Sequence, residues 1–498
     1  MLTAKPQLNL QHARKYFREH LSTGDYYSAG QKVGGEWFGL GTEKMGLKGN
    51  VKEADFLRLC EGKNPFTGEK LTQRQNLTRR NEQGRNVANR RVFYDFTLSP
   101  PKSVSVVGLC QDDRIVDLHH RAVRTAMQEL EKFAQTRVRK AGQRGERVTG
   151  NVIAAAFRHD TSRELDPHLH THSVIFNATF DPVEKRWKAL EVHGMYRAQK
   201  FVEGCYFHEL AKGLRLLGYE IENQERAFRI KGVPESLVAR FSKRHQQIDA
   251  ETGERIKREG LRGNVKDLRE FVAQEARRRK MKDSTASRLR PFWEKEMTIA
   301  EASALKVLQT VEPRPAKAAD VAGVVAWADE YLFERRSVVN DYELMAAALA
   351  RGRGENFDLG ALRSAIEARG YLREDGTTKL TSREVLRDEL EIVVAAHDGR
   401  GRHRALNADH HCSPVLSAEQ KAAVERILGS RDFITLFRGG AGTGKSFALK
   451  EIVRGLAAAS RPATVLAPQR QQVGDLQADG LPAETLSRFL VTKSVRPT

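Results

Sequence analysis

The stretch that decides the fold is Asp166-Pro167-His168-Leu169-His170-Thr171-His172-Ser173-Val174-Ile175-Phe176, which follows Phe157-Arg158-His159-Asp160. Its three histidines alternate with other residues. Because alternate side chains of a β-strand leave the same face, these three histidines are predicted to line one surface of a strand. The closing Val-Ile-Phe run indicates that the far end of this strand is buried on both sides.

The histidine spacing predicts a metal site. Neutral imidazole is a common protein ligand for zinc and similar metals. His159 lies eleven residues before His170, a spacing that lets an upstream strand fold back and add an imidazole. Three histidines and one open coordination position would form a Lewis acid. The alternative is that the histidines are hydrogen-bonded polar residues of a half-buried strand.

Length and composition indicate a globular protein of the cytoplasm. The 498 residues suffice for about three domains. The sequence contains no apolar run long enough to span a membrane and no secretory signal at its start, so no membrane insertion is expected. The four cysteines lie far apart, which argues against a zinc ribbon or a disulfide framework and fits a reducing compartment.

The positive charge predicts a nucleic-acid partner. The formal net charge is +20 and the pI is about 9.8. Excess Lys and Arg attract phosphate backbones independently of sequence. The charges are clustered at Arg79, Arg80, Arg85, Arg90 and Arg91, at Arg137, Arg139, Lys140, Arg144 and Arg147, and at Arg277-Arg278-Arg279-Lys280. The alternative is a solvated basic surface without a partner.

The apolar pattern predicts a mixed α/β (α+β) fold with an antiparallel core. Strands are expected at 91–98, 148–157 and 188–192, and helices at 7–20, 112–140 and 193–217. Residues 234–290 are predicted to form basic helical arms. Phe292 and Trp293, which follow these arms directly, are candidates for base stacking. A helical segment at 312–405 resembles a small winged-helix connector.

A P-loop predicts a nucleotide site near the C-terminus. A strand expected at 433–437 runs into Gly439-Gly440-Ala441-Gly442-Thr443-Gly444-Lys445-Ser446, which precedes a helix. Backbone N–H groups of Gly439, Gly442 and Gly444 would cradle the phosphates of ATP, while Lys445 would reach the β/γ-phosphates and Ser446 would hold Mg²⁺. No acidic strand end follows that could supply a second Mg²⁺ ligand, so a RecA-like motor domain is expected to be incomplete.

Several motifs together resemble the MobF-family conjugative relaxases, the TrwC/TraI type, which fuse an HUH relaxase to a superfamily 1 helicase. The matching motifs are Tyr16, Tyr26-Tyr27, Trp37-Phe38-Gly39-Leu40-Gly41, Met45-Gly46-Leu47, Asp95-Phe96-Thr97-Leu98-Ser99-Pro100-Pro101-Lys102-Ser103-Val104-Ser105, Phe157-Arg158-His159, Asp166 to His172, and the P-loop after Leu416-Ser417-Ala418-Glu419-Gln420. The resemblance covers nearly the whole chain, and the combination is far more specific than any single motif.

The resemblance implies a role for particular residues. The metal ligands are His159, His170 and His172, the nucleophile is Tyr16, the carboxylate that orients a histidine and assists the tyrosine is Asp95, and the adenine-reading glutamine is Gln420. The family usually carries two tyrosine pairs, whereas Tyr16 is followed here by Phe17. A second cleavage would therefore fall to Tyr26 or Tyr27.

The family also implies an architecture and partners. Residues 1–300 are expected to form the HUH relaxase domain with an antiparallel palm and helical fingers, 301–410 the connector, and 411–498 the start of the helicase. The implied activity is metal-dependent nicking and rejoining of single-stranded DNA at the origin of transfer through a 5′-phosphotyrosine. The expected cofactors are Mg²⁺, Mn²⁺ or Zn²⁺ and ATP with Mg²⁺. Relaxosome accessory proteins and a type IV coupling protein are the implied partners.

Three other functions remain open on the sequence. An HUH replication initiator or transposase would share the chemistry and differ in the biological process. A nucleic-acid-dependent ATPase would use the P-loop and keep the histidine strand only as structure. A metal hydrolase of small substrates would use water instead of Tyr16, and the positive charge would then have no role.

Overall fold

The computed structural model describes residues 1–8, 10–17, 35–73, 78–80, 86–88, 91–140, 143–259, 272, 286–308, 318–440 and 442–493. The chain divides into two compact units, Met1–Thr381 and Ser382–Thr498. The three-domain division at residues 300 and 410 stays a prediction.

The N-terminal unit contains small sheets around one larger sheet. Its strands are β1 Leu2–Gln7, β2 Glu36–Phe38, β3 Thr78–Arg80, β4 Asn86–Ala88, β5 Phe93–Leu98, β6 Gln135–Lys140, β7 Gln143–Val148, β8 Ala154–Thr161, β9 Pro167–Phe176, β10 Thr179–Asp181, β11 Arg186–Lys188, β12 Leu190–Glu191, β13 Ile221–Asn223, β14 Phe228–Ile230, β15 Val339–Asn340, β16 Leu372–Arg373 and β17 Lys379–Thr381.

Helices surround these strands in the same unit. They are α1 Leu10–Tyr16, α2 Leu40–Met45, α3 Glu53–Cys60, α4 Lys102–Cys110, α5 Arg114–Glu131, α6 His193–Arg197, α7 Gln199–Leu216, α8 Glu235–Arg240, α9 Lys243–Glu259, α10 Ala286–Glu296, α11 Ile299–Leu308, α12 Val321–Phe333, α13 Asp341–Arg351 and α14 Leu359–Ala368.

The predicted antiparallel palm is confirmed as a five-stranded sheet of order β1-β5-β9-β8-β2. The histidine strand β9 is its centre, and its last three residues are fully buried. One face of the sheet packs with α4, α5 and α7 around Phe96, Leu169 and Ile175. The other face packs around Phe56 of α3 and continues into the histidines. The central strand therefore has one wholly structural face and one face that combines apolar and polar side chains.

Two predicted elements have different bounds. The helix expected over 112–140 ends at Glu131, and Gln135–Lys140 instead forms β6, which pairs with β7 and β12. The apolar stripe of the helix runs out at this point, and strand pairing satisfies the backbone groups of residues 135–140. The strand expected over 148–157 begins only at Ala154, after a turn in which Gly150 has a positive φ of 63°.

The connector of the N-terminal unit has the predicted winged-helix order. Helix α12 is followed by β15, α13, α14 and the hairpin of β16 and β17, and the three strands form one sheet. An Asn340 capping box opens α13, and Asp358 caps α14 by accepting the Ala361 N–H. Buried Leu344, Leu362 and other apolar residues pack these helices together.

The C-terminal unit is mainly helical. It contains α15 Arg383–Asp398, α16 Ala418–Leu428, α17 Lys445–Ala458, β18 Val465–Ala467, α18 Arg470–Ala478, β19 Ala483–Thr485 and α19 Leu486–Lys493. Strands β18 and β19 pair in parallel. None of the helices formed by the described residues is long and apolar enough to cross a membrane.

The strand predicted at 433–437 is not formed. Residues 433–437 have no regular secondary structure, and Leu436 is 91% exposed. A strand requires a hydrogen-bonding neighbour, and no strand of the described C-terminal residues pairs with this segment. The apolar sequence of this segment therefore has strand propensity, but the segment has no neighbouring strand to pair with.

Candidate functional site

Three imidazole rings form a triangle on one face of β8 and β9. Their centroids are 5.1 Å apart between His159 and His170, and 5.2 Å apart from each of these to His172. The triangle forms because His159 lies directly opposite His170 in the antiparallel register. Metal–nitrogen bonds of about 2.0–2.1 Å at tetrahedral angles put ring centroids about 5 Å apart. The rings therefore have the spacing that a three-histidine metal site requires.

Two of these rings are oriented by acceptors at Nδ1. His170 Nδ1 lies 2.9 Å from the carbonyl oxygen of His168, and His172 Nδ1 lies 2.8 Å from Asp95 Oδ2. When both Nδ1 atoms donate, each Nε2 keeps its lone pair for a metal. Burial lowers the pKa of His170 well below its usual range, which favours the neutral ligand form. His168, whose pKa burial lowers to about 3, acts on this site through its backbone.

Asp95 joins the histidines to the predicted nucleophile. Its Oδ2 accepts hydrogen bonds from the Tyr16 hydroxyl and from His172, while its Oδ1 accepts from Thr97 Oγ1 at 3.2 Å. Tyr16 Oη also lies 3.3 Å from His172 Nδ1. Burial raises the pKa of Asp95, but the attraction of His172 and these hydrogen bonds outweigh it and hold the pKa below its usual range. The group is therefore a carboxylate at neutral pH.

Tyr16 and Phe17 have opposite environments. The Phe17 side chain is buried, with its ring centroid 4.5 Å from that of Phe56 and 6.0 Å from that of Phe157. Tyr16 is only partly buried and directs its hydroxyl to Asp95. The residue that replaces the usual second tyrosine is therefore a core residue that fixes the end of α1.

The back of the histidine strand is held by a buried hydrogen-bond chain. His119 of α5 lies between Thr171 of β9, at 2.8 Å, and the Tyr206 hydroxyl of α7, at 2.7 Å. Burial lowers the pKa of His119 well below its usual range, so this imidazole is neutral. Sequence reasoning missed His119, because no local pattern distinguishes it from other residues of an amphipathic helix.

The turn between β8 and β9 is fixed by the helical arms. Leu165 has a positive φ of 62°, and its carbonyl accepts the indole N–H of Trp293 at 2.7 Å. Trp293 is 2% exposed, so the prediction that it stacks on bases is wrong, since its ring packs inside the protein. The neighbouring Phe292 is 64% exposed and stays a candidate for base stacking.

Buried charges connect the same turn to α4 and α9. Asp166 is 1% exposed and accepts the backbone N–H of Lys243 at 3.0 Å, while Lys243 Nζ lies 3.5 Å from its Oδ1. Lys102 Nζ donates to the Pro167 carbonyl at 2.9 Å. Burial lowers the pKa of Lys102 to about 8, although the Asp166 carboxylate opposes this shift. Both ammonium groups thus lie next to the start of the histidine strand.

Some predicted residues lie outside the described part of the chain. They are Tyr26, Tyr27, Arg85, Arg90 and the cluster at 277–280. Arg91 and the β6–β7 residues Arg137 and Arg147 are described, and Arg147 pairs with buried Asp181 at 2.7 Å. That pairing gives one residue of the predicted basic cluster a structural partner.

The P-loop is described except for residue 441. Gly442 and Gly444 have positive φ values of 77° and 73°, which favour glycine, and α17 begins at Lys445. Lys445 Nζ donates to the carbonyls of Gly439, at 3.0 Å, and Gly440, at 2.5 Å. Gln420 Nε2 donates to the Thr443 carbonyl at 3.2 Å, and Ser446 is exposed at the start of the helix. The predicted nucleotide residues are therefore assembled around one loop.

An antiparallel palm that presents a histidine triangle beside a tyrosine and an aspartate defines the HUH relaxase class. Residues 10–300 match the family model described as TrwC relaxase, and residues 415–497 match that of an AAA domain. The chain belongs to the TrwC relaxase family.

Curated and solved relatives agree with this family. The chain is 37% identical over 243 residues to the multifunctional conjugation protein TraI of Escherichia coli strain K12, a match that covers 46% of this chain. It spans 13% of the length of that relative. A solved structure of the conjugative relaxase TrwC in complex with oriT DNA, in a copper-bound form, is 29% identical with a TM-score of 0.51. That match covers 61% of this chain and 99% of the solved one.

We expect Lys102→Met to stabilise the N-terminal unit at neutral pH. The pKa of Lys102 falls from 10.5 to about 8 on folding, so below pH 8 the folded state carries the cost of a desolvated ammonium. Removing it should raise the free energy of unfolding by about 2 kcal/mol at pH 7, after the lost hydrogen bond is counted. The stability gained by Lys102→Met should shrink as the pH rises from 8 to 10.5. In this range the wild type releases the Lys102 proton on folding, so its own stability rises with pH.

Urea unfolding at pH 7 and pH 9.5 measures this effect. Lys231→Met is the control, because the Lys231 side chain is 66% exposed and its removal should change stability little. A Lys102→Met variant less stable than wild type at pH 7 would contradict the analysis of the buried ammonium.

Proposed function

We propose that this protein cuts and rejoins one DNA strand at a specific site, through a covalent bond between Tyr16 and the 5′ phosphate. The observation that carries this proposal is the shared acceptor: Asp95 Oδ2 binds both the Tyr16 hydroxyl and a histidine of the triangle. The substrate is single-stranded DNA at the origin of transfer of a conjugative plasmid. The similarity to the conjugation protein TraI and to the relaxase TrwC, which was solved in complex with oriT DNA, supports this choice over a replication initiator.

In the cleavage step Tyr16 Oη attacks the scissile phosphorus. The Oη–P bond forms as the bond from phosphorus to the 3′ oxygen breaks. The proton that Oη releases passes to solvent by way of Asp95, and the 3′ oxygen takes up a proton from solvent and leaves as a hydroxyl. Asp95 holds the attacking hydroxyl in place and keeps His172 in the tautomer that leaves Nε2 free. Because its pKa lies below the usual range, Asp95 is a weak base, which favours the orienting role over permanent proton uptake. Attack of the 3′ hydroxyl on the phosphotyrosine reverses the reaction and rejoins the strand.

His159, His170 and His172 would hold a divalent metal ion. When bound, such an ion withdraws charge from the nonbridging oxygens of the scissile phosphate and lowers the barrier to attack. Three imidazole ligands favour Zn²⁺ or Mn²⁺, whereas a phosphate-rich substrate can also recruit Mg²⁺. The copper-bound form of the TrwC relative is consistent with a site of imidazole ligands.

The further partners follow from the same process. Basic side chains of the predicted clusters would contact the DNA phosphates. Tyr26 or Tyr27 would carry out a second cleavage. Relaxosome accessory proteins and a type IV coupling protein would bring the DNA-linked protein to the transfer channel, and the protein would act in the cytoplasm.

We expect Tyr16→Phe to abolish the covalent adduct. The protein is incubated with single-stranded DNA from the transfer region of its own replicon and Mn²⁺, and the denatured products are separated by gel electrophoresis. The wild type should give a protein–DNA adduct that chelator prevents, and Tyr16→Phe should give none, because only the hydroxyl that attacks phosphorus is removed.

The control for this experiment is Tyr331→Phe, which removes the hydroxyl of a tyrosine that is 58% exposed and far from the histidines in sequence. An adduct that survives Tyr16→Phe would assign the nucleophile to Tyr26 or Tyr27. Cleavage without any adduct would instead assign it to water, and the proposed transesterification would be wrong.

We expect Asp95→Asn to weaken metal binding about 10- to 100-fold, the usual effect of losing a carboxylate behind a ligating histidine. Isothermal titration with Mn²⁺ measures the affinity. Asp112→Asn is the matched control, since Asp112 is also a buried aspartate but pairs with Arg114 and Tyr219 instead of a histidine. Equal affinities of wild type and Asp95→Asn would exclude the orienting role.

We also propose that the C-terminal unit binds ATP with Mg²⁺. Backbone N–H groups around Gly439, Gly442 and Gly444 would receive the phosphates, with Lys445 at the β/γ-phosphates and Ser446 at Mg²⁺. Gln420, which already contacts the loop, would read the adenine base. The match of residues 415–497 to an AAA domain supports this proposal.

We expect Lys445→Ala to weaken ATP binding at least tenfold, because the ammonium that meets the β/γ-phosphates is lost. Fluorescence titration with a labelled ATP analogue measures the affinity. Lys450→Ala, in the same helix but paired with Asp479, should bind as the wild type does. The Tyr16 adduct should form equally in all three proteins, and unchanged nucleotide affinity in Lys445→Ala would refute the P-loop proposal.

A further inference from the structure

A second group of metal-ligating side chains lies in the C-terminal unit, apart from the histidine strand. It consists of His410, Cys412 and Glu451, whose candidate ligand atoms all lie within 4.8 Å of one another. The side chains of His410 and Glu451 are each 8% exposed. We propose that these three residues form a binding site for Zn²⁺ or a similar thiophilic divalent cation.

The donor set fits this class of cation. A thiolate, an imidazole and a carboxylate are zinc ligands, whereas Mg²⁺ and Ca²⁺ prefer sites made only of oxygen. Bonds of about 2.0–2.3 Å at tetrahedral angles need ligand atoms about 3–4 Å apart. The present separations are therefore close to those of a bound site, and rotation of the Cys412 side chain can supply the remaining movement. Three protein ligands leave one position for water.

The imidazole is held in place by α17. The His410 ring packs on α17 at Gly455, where the absence of a side chain allows close approach. A Cβ atom at this position would lie only 3.2 Å from His410 Cγ. Asn407 Nδ2 donates to the Gly455 carbonyl at 2.8 Å and holds the preceding loop against the same turn. His410 thus faces Glu451, which lies one helical turn before Gly455.

The carboxylate has contacts that a cation would share. Glu451 Oε1 accepts from His410 Nε2 at 2.9 Å, from the Ser413 N–H at 2.9 Å and from Arg454, while Oε2 accepts from Arg454 Nε at 3.0 Å. A divalent cation would replace the proton between His410 and Glu451. The Arg454 side chain is 57% exposed, and its Nη2 also donates to the His411 carbonyl at 3.1 Å. It can therefore release Oε1 to a cation and keep its bonds to Oε2 and to this carbonyl.

Occupation of this site would tie the loop before α16 to the helix that begins at the P-loop. Glu451 lies six residues after Lys445 on α17, and Cys412 lies five residues before the N-cap residue Ser417 of α16. The cation would therefore stabilise the packing of α16 against α17 and support the nucleotide loop without touching nucleotide. This role is structural and is independent of the relaxase chemistry.

Cobalt substitution tests the proposal on the full chain. Co²⁺ bound to a thiolate gives a near-ultraviolet charge-transfer band, which a site made only of imidazoles does not give. The histidine triangle contains no sulfur, so binding there does not obscure the result. In the wild type the band should saturate at an intensity that corresponds to one thiolate-bound Co²⁺ per chain, and Zn²⁺ should displace it.

Matched variants assign the ligands. The band should disappear in Cys412→Ser. In His410→Ala the affinity of this site for Co²⁺ should fall at least tenfold. It should persist in His411→Ala, which removes the exposed neighbouring histidine, and in His172→Ala, which disrupts the other site. Zn²⁺ should raise the urea midpoint of the C-terminal unit in the wild type but not in Cys412→Ser, with circular dichroism verifying that this variant is folded. Absence of the band from wild type, or an equal band in Cys412→Ser, would overturn the proposal.

Discussion

A single buried carboxylate connects the parts of the active site. Asp95 Oδ2 is the acceptor for both the Tyr16 hydroxyl and His172 Nδ1, and these donors lie on α1 and β9. Two donors on one oxygen require the helix and the strand to hold a fixed relative position. The position of the Tyr16 hydroxyl is therefore defined relative to the histidines by one residue of the neighbouring strand β5.

That arrangement depends on a strand whose two faces perform different tasks. The histidines of β9 face the site, while Thr171 on the opposite face binds His119, which in turn binds Tyr206. Because alternation in a strand is strict, a shift of one residue would bury the histidines and expose their structural neighbours. The buried chain to α5 and α7 opposes such a shift, so hydrogen bonds on the back of the sheet help maintain the ligand geometry on its front.

The sequence sufficed to predict features with a local pattern. Alternating histidines predicted the face of β9, and the glycine spacing predicted the loop that precedes α17. No local pattern predicts the contact between Tyr16 and Asp95, which are 79 residues apart; this pairing came only from the family resemblance. Local patterns also failed where tertiary context overrides propensity, since the apolar segment at 433–437 has no pairing strand and Trp293 is turned inward. Thr97 was missed as a site residue although it shares the face of Asp95, because its role depends on the register with His172.

The burial of Phe17 accounts for the departure from paired tyrosines. Its ring packs against Phe56 and Phe157 in an apolar cluster, so a hydroxyl at that position would be placed among carbon atoms. A buried hydroxyl without a partner destabilises a protein by about 1–3 kcal/mol. A tyrosine there would have to leave the core to reach DNA, and α1 would lose the anchor that positions Tyr16. The phenylalanine therefore favours a single, precisely held tyrosine hydroxyl at this end of α1, and the proposed second cleavage would need a hydroxyl from elsewhere in the chain.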